Sequence, residues 1–309
     1  MNVALLGFGT VGSKVYELIK AEDLDIQVKS ILVKHRDKHS SIQVLLAHSF
    51  DDIILDDSID VVIETIGGTT DAYAYVKKAL EHKKHVVTAN KALMSTYFRE
   101  LHELAKNNQV QLRFEASVGG SMICVDPIIE LSKFNHIYKI EGILNGSTNY
   151  LLSQIFDQDK TLEEALVEAK SLGYLEQDPK DDLEGFDLMY KIHILSMIAY
   201  QRDIDVNQIM RIPLTNITQD EINQVKRNHQ IMKYIASSEL VDDKPFIKVE
   251  PKVIESSHPY AKIQKAMNII NIYGKYNQYQ SFARHGAGGL PTASAIVYDL
   301  LKIKELNHI

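Results

Sequence analysis

Through the first 130 residues, short apolar runs alternate with longer stretches of helical period. The runs "NVALLGFG", "IQVKSILV", "DVVIETIGG", "HVVTANK" and "VQLRFEASVGG" are interleaved with "VGSKVYELIKA", "DAYAYVKKALEHKK" and "FRELHELAKNN". Apolar runs of about four to eight residues, separated by helical stretches of about 10 to 15, predict βαβ units and a parallel sheet. Near Pro127 the pattern changes. Helices are predicted over 149–156, 161–172, 186–200 and 219–238, joined by strand-like "HIYKIEGIL", "FIKVEPKVI", "IINIYG" and "YQSFAR". The last segment, "RHGAGGLPTASAIVYDLLKI", is a glycine-rich turn with Pro and Thr at a helix start, followed by an amphipathic helix.

The expected fold class is α/β: a Rossmann-type doubly wound parallel sheet with a second, mixed α/β domain. The first domain is expected over 1–130, completed by the returning helix at 284–309, and the second over 131–283.

Composition narrows the function classes. A net charge of −7 argues against a nucleic-acid surface, which needs a clustered basic face. No apolar run approaches the roughly 20 residues needed to cross a bilayer, and "MNVALLGFG" lacks the basic leader of a signal peptide. The one cysteine, Cys124, excludes a disulfide framework and suits a reducing, cytoplasmic setting. None of the 12 histidines has the spacing of a zinc site, so no transition metal is expected.

The motif "GFGTVG" follows a buried strand and opens a helix. Gly7 allows the tight turn, Gly9 lets the backbone approach a pyrophosphate, and Gly12 lets helix and strand pack closely. Thr10 and Val11 lie in the first helical turn, whose N–H groups favour an anion. A flavin, a nicotinamide or another nucleotide would fit. At the end of the second strand, where an NAD enzyme carries an acid for the ribose, the sequence is "ILVKHRDK". Lys34 and Arg36 suit a 2′-phosphate, so NADP(H) is favoured, with NAD(H) and a merely solvated basic loop as the alternatives.

Lys191 stands in an apolar run with Phe186, Leu188, Met189, Ile192, Ile194 and Leu195 around it, and Asp187 four residues earlier on the same helix face. A lysine in such surroundings needs a partner or a task. Upstream, Glu176, Asp178, Asp181, Asp182 and Glu184 crowd a loop. It could hold a hard cation, hold an ammonium group, or simply be solvated. Lys91, in "HVVTANKALMS", sits where a strand ends and a helix begins, at the carboxyl edge where open sheets bind ligands.

Together these blocks resemble homoserine dehydrogenase along the whole chain: "GFGTVG", "VIETIGG", "HVVTANKAL", "FEASVGG", "GILNGSTNY", "GYLEQDPKDDLEGFD" and "HGAGGLPTASAIVYDL". The resemblance implies reversible hydride transfer between aspartate 4-semialdehyde and homoserine, with a small-molecule substrate and no nucleic-acid or membrane partner. It implies Lys191 as proton donor at the reacting oxygen, Lys91 as second lysine of the pocket, and Glu176, Asp182 and Asp187 as the carboxylates that hold the substrate amino group and order the site. It implies Thr65, Asn90 and Gly288 as cofactor contacts. It also implies a monovalent cation such as sodium, bound by the Glu115 side chain and by backbone carbonyls near Val118, Gly120 and Met122. The second domain resembles the family's dimer-forming region, so a homodimer is expected.

The sequence departs from the family's usual small residue at Leu175, its proline at Ile123, and its glycines at Ser121 and Arg284. It stops at Ile309, so it resembles a short form, in which threonine is not expected to act through an appended sensing domain. Two other functions stay open at this point: a nucleotide sensor without turnover, and an oxidoreductase for another amino-acid aldehyde.

Overall fold

The computed structural model describes residues 1–39, 44–120, 122–175, 178–285 and 288–307. The chain divides into two compact units, Met1–Val125 with Gly288–Ile309, and Asp126–Ala287.

The first unit carries strands β1 (Asn2–Leu6), β2 (Gln27–Leu32), β3 (Leu45–Leu46), β4 (Val61–Glu64), β5 (His85–Thr88) and β6 (Leu112–Arg113), with helices α1 (Thr10–Ala21), α2 (Asp51–Ile54), α3 (Thr70–Glu81), α4 (Lys91–Asn107) and α5 (Glu115–Val118). The strands run in the order β3-β2-β1-β4-β5-β6, all parallel. Strand order reverses between β1 and β4, which is where a doubly wound sheet opens its ligand crevice. β4 and β5 are buried at every position, as expected of strands covered on both faces. The helices bury one stripe each, Val15 and Ile19 on α1 and Ala72, Val76, Ala79 and Leu80 on α3, which matches helical spacing.

The second unit contains α6 (Val125–Ser132), β7 (Ile137–Ile143), α7 (Gly146–Asp157), α8 (Leu162–Ser171), α9 (Lys180–Leu183), α10 (Phe186–Tyr200), β8 (Met210–Arg211), α11 (Gln219–Arg227), β9 (Gln230–Val241), β10 (Lys244–Glu255), β11 (Met267–Gly274) and β12 (Gln278–His285). Its sheet runs β12-β11-β7-β9-β10-β8. Every pairing is antiparallel except β8 with β10. Helices α7 and α10 lie against this sheet. A two-residue turn joins β9 to β10 with Asp242 and Asp243 at φ 50° and 58°, the left-handed pair that such a hairpin requires.

One expected element is corrected. The helix read over 219–238 ends at Arg227, and His229 turns the chain at φ 55°. From Gln230 the segment "QIMKYIASSELV" is strand β9, paired residue for residue with β10. Its apolar positions also fit a helical face, but pairing on both edges, with β7 and β10, decides the outcome.

The last helix, α12 (Gly289–Asn307), belongs to the first unit. Its Ala293, Ile296, Leu300 and Ile303 share a core with Val3, Leu5, Val15 and Ile19. A Cβ on Gly289 would lie 2.8 Å from the Thr10 carbonyl oxygen, so glycine permits the contact between α12 and the start of α1. Among the described residues no helix is long and apolar enough to cross a membrane.

Candidate active site

In the first unit the glycine loop joins β1 to α1. Gly7 takes φ +94°, and a Cβ on Gly12 would lie 2.4 Å from the Gly7 carbonyl oxygen and 2.9 Å from Thr65 Oγ1. A side chain at either position would force the helix away from the strand. A Cβ on Gly9 would meet nothing within 4 Å, so the loop faces open space beside the first amides of α1. That arrangement fits a pyrophosphate. Thr65 follows β4 and donates from Oγ1 to the Leu6 carbonyl at 2.9 Å, which ties the two strand ends flanking the crevice.

Behind Thr65 is a buried network that sequence reasoning did not single out. Glu64 is fully buried. Its Oε1 accepts from the amides of Ile66 and Gly67 at 2.9 and 3.0 Å, and its Oε2 from Thr88 Oγ1 at 2.5 Å. Burial raises the Glu64 carboxyl above its ordinary range, against the Thr88 and amide hydrogen bonds. Thr88 Oγ1 also accepts from the Asn90 amide at 3.0 Å, and Asn90 Nδ2 donates to the Gly68 carbonyl at 2.6 Å. Asn90 then caps α4 by accepting from Leu93 N at 3.0 Å, with half-buried Lys91 as the first helical residue. The loops after β4 and β5 are thus one hydrogen-bonded assembly.

The two cations after β2 differ. Lys34 is exposed. Arg36 is drawn onto the sheet edge, with Nη2 donating to the Leu46 carbonyl at 2.8 Å and Nη1 2.5 Å from His48 Nδ1. Gly288, with φ +153°, comes just before α12, and the next residue, Gly289, packs against Thr10 beside the glycine loop.

Glu115 opens α5 and is nearly fully buried. Its Oε2 accepts from the amides of Cys124 and Val125, both at 3.0 Å. Its own amide donates to Asp299 Oδ2 at 3.0 Å, and Asp299 also accepts from Arg113 Nε at 3.0 Å. Burial, aided by Glu115 and opposed by Arg113, pushes the Asp299 carboxyl up to about 8. Gly120 takes φ +62°, and a Cβ on Gly119 would fall 2.1 Å from the Met122 carbonyl oxygen. The chain therefore doubles back tightly, with Val118 and Met122 buried on either side. The buried Glu115 carboxylate, followed in the chain by the turn through Gly119 and Gly120, is the hard oxygen donor available here for a monovalent cation. Ser121 lies outside the described residues.

In the second unit Lys191 is mostly buried on α10, and Nζ donates to Asp187 Oδ2 at 2.7 Å and to the Leu144 carbonyl at 2.8 Å. Asn145, the next residue, donates from Nδ2 to Asp182 Oδ1 at 2.7 Å and to Asp187 Oδ2 at 3.0 Å. Its Oδ1 accepts from Thr148 N at 2.8 Å and caps α7. The start of α10 is equally constrained: Gly185 takes φ +82°, and a Cβ there would fall 2.1 Å from the Tyr234 hydroxyl. Arg211 lies over the Phe186 ring at 3.9 Å and pairs with Glu184 at 3.5 Å, holding the acidic loop at its far end.

The structure therefore brings Lys191, Asp187 and Asp182 into one cluster. Separately, it gathers Gly7, Gly9, Thr10, Val11, Gly12, Thr65, Asn90 and Lys91 along the carboxyl edge of the parallel sheet. Glu176 lies outside the described residues. Glu64 and Asn145 were missed because their partners are distant in sequence, although an Asn three residues before Thr148 at a strand end is a visible capping signal. Among the positions that depart from the family pattern, Leu175 packs beside Tyr150, Ile123 beside the first unit's core, and Arg284 opposite Asn268 across β11 and β12.

Comparison with known proteins adds to this geometry. The family model described as homoserine dehydrogenase matches residues 124–301, and that described as homoserine dehydrogenase, NAD binding domain, matches residues 7–115. The homoserine dehydrogenase of Bacillus subtilis (strain 168) is 34% identical over 314 residues, covering 98% of this chain and 72% of its own length. The crystal structure of a homoserine dehydrogenase from Thiobacillus denitrificans superposes with a TM-score of 0.94 at 30% identity, covering 100% of this chain and 74% of that one. A hyperthermophilic archaeal homoserine dehydrogenase in complex with NADPH superposes with a TM-score of 0.84 at 25% identity, covering 99% and 98%.

Proposed function

The chain belongs to the homoserine dehydrogenase family of oxidoreductases, and from that premise we propose how its residues divide the interconversion of aspartate 4-semialdehyde and homoserine. The nicotinamide, when bound, supplies or accepts the hydride. Lys191 holds the proton given to the carbonyl oxygen as it becomes a hydroxyl, and takes it back in the oxidative direction. Asp187 aims that ammonium through its 2.7 Å contact. Asp182 and Glu176 receive the substrate ammonium, and Lys91 acts on the substrate as a second lysine.

The observation that carries this reading is the mostly buried Lys191, held by Asp187 at 2.7 Å and by the Leu144 carbonyl at 2.8 Å. Two of its three donors are so engaged, and the pair lies beside a further carboxylate rather than in open solvent. The test follows NADPH oxidation by aspartate 4-semialdehyde in wild type and Lys191→Ala. Turnover lost in the variant with nucleotide binding kept supports the assignment; wild-type turnover retained in the variant refutes it. Neither a nucleotide sensor nor an oxidoreductase for another aldehyde finds support in the comparisons.

The glycine loop, Thr65, Asn90 and Gly288 would hold the cofactor. NADP(H) is preferred over NAD(H), supported by exposed Lys34 and by the absence of an acid at the end of β2. A monovalent cation such as sodium would be held by Glu115 and the backbone carbonyls near Val118, Gly120 and Met122. The enzyme works in the cytoplasm, a setting that suits the buried free thiol of Cys124. It acts as a homodimer through the second unit, whose exposed Tyr138, Tyr276 and Tyr279 supply apolar surface. Light scattering at micromolar concentration tests the last point, and a monomer of 35.0 kDa would refute it.

A further inference from the structure

We propose that Asn145 is a positioning residue for this reaction: one side-chain amide sets the placement of the ammonium-binding carboxylate, Asp182, relative to the proton-donating pair, Lys191 and Asp187. The proposal deepens the reading above and rests on it.

The orientation of the amide is fixed by its surroundings. Asn145 lies two residues past β7 and caps α7, and its Oδ1 accepts from Thr148 N at 2.8 Å and from Thr148 Oγ1 at 3.0 Å. With the oxygen committed to the helix, Nδ2 faces the opposite way, toward the two carboxylates. It donates to Asp182 Oδ1 at 2.7 Å and Asp187 Oδ2 at 3.0 Å. Asn145 and Asp187 are both more than nine-tenths buried. Two carboxylates drawn to one site repel each other, and each tends to move apart or take up a proton. A neutral donor between them offsets that repulsion without adding a charge that would compete for the substrate ammonium.

The same junction also reaches the lysine. Asp187 Oδ2 accepts from both Asn145 and Lys191, and Lys191 also donates to the carbonyl of Leu144, the residue before Asn145. Three separate elements, α9 with Asp182, α10 with Asp187 and Lys191, and the β7–α7 junction, therefore meet at two consecutive residues. The substrate has its aldehyde and ammonium a fixed number of bonds apart. A device that fixes the two binding groups relative to each other acts on binding and on turnover together.

The experiment compares Asn145→Ser and Asn145→Ala in the full chain. Serine retains a capping oxygen for α7, but it is too short to bridge both carboxylates. The expected result for Asn145→Ser is a KM for aspartate 4-semialdehyde raised about tenfold through Asp182 and a kcat lowered about tenfold through Lys191, each tenfold being about 1.4 kcal/mol. Its NADPH affinity and melting temperature stay near wild type. Asn145→Ala is expected to match these kinetics while melting lower, because the cap is lost as well.

A cycle with Asp182→Asn isolates the coupling. If Asn145 acts through Asp182, the double variant Asn145→Ser/Asp182→Asn has no higher KM than Asp182→Asn alone. Full additivity, unchanged kinetics in Asn145→Ser, or loss of nucleotide binding in parallel with activity would each overturn the positioning role. A wild type that does not turn over aspartate 4-semialdehyde at all would instead overturn the reaction on which the proposal rests.

Discussion

Thr88 donates to Glu64 at 2.5 Å across the ends of β5 and β4, and the same hydroxyl accepts from the Asn90 amide at 3.0 Å. One buried oxygen therefore joins the two loops expected to face the nicotinamide. Thr88→Val keeps the shape and removes both bonds. Leaving buried groups short of a partner costs roughly 1–3 kcal/mol, so urea unfolding is expected to show a loss of that size. NADPH affinity should fall more than the affinity for a nucleotide fragment lacking the nicotinamide, because the glycine loop is untouched. Equal losses for the two ligands would count against this account.

Lys34 and Arg36 are expected to contribute unequally to cofactor choice. Lys34→Ala should lower kcat/KM for NADPH about tenfold, worth about 1.4 kcal/mol, with little change for NADH. Arg36→Ala should matter less, since its guanidinium is already engaged by His48 and the Leu46 carbonyl. Steady-state kinetics with both cofactors decide the order, and a larger NADPH effect at Arg36 would reverse it.

Gly185→Ala is expected to be harmful out of proportion to its size. At φ +82°, with the Tyr234 hydroxyl 2.1 Å from the new methyl, the variant must distort the start of α10. The cost is about 1–3 kcal/mol for the backbone alone. Because Asp187 lies two residues on, kcat should fall with the melting temperature. A variant with wild-type kcat would show that the distortion is absorbed before Asp187.

Lys233 supplies a pH dependence of stability. It is buried, donating to Asn149 Oδ1 at 3.0 Å and to the Ile263 carbonyl at 2.6 Å. Burial lowers its pKa from 10.5 to about 8, with Asp157 opposing. The folded state binds this proton less tightly than the unfolded chain. Its contribution is therefore fully present above 10.5 and is lost as pH falls through about 8. Between those values wild type should gain on Lys233→Met by up to about 1.4 kcal/mol per pH unit. Urea unfolding of both at two pH values in that window measures the difference, and parallel curves would exclude the mechanism.

What could be read from the sequence follows the range of the interactions involved. The parallel sheet, the glycine loop and the Asp187–Lys191 spacing are local patterns, and local periodicity carries them. Strand β9 is not legible locally, because "IMKYIA" satisfies both the helical and the strand period and its partners, β7 and β10, lie elsewhere in the chain. Arg36 could be placed after β2, but not its attachment to His48, since the two-residue β3 leaves almost no signal. Glu64 and Asn145 were visible as residues. Their roles depend on Thr88, 24 residues away, and on Asp182 and Asp187, 37 and 42 residues away.

The return of α12 bears on the order in which the protein can be built. The first unit's core needs Ala293, Ile296 and Leu300 beside Val3 and Leu5, so on a ribosome the earliest residues must wait for these late ones to emerge. The second unit is one uninterrupted segment and has no such delay. The nucleotide-binding half is thus the high-contact-order half, and its exposed apolar strands are the ones a chaperone would meet during synthesis.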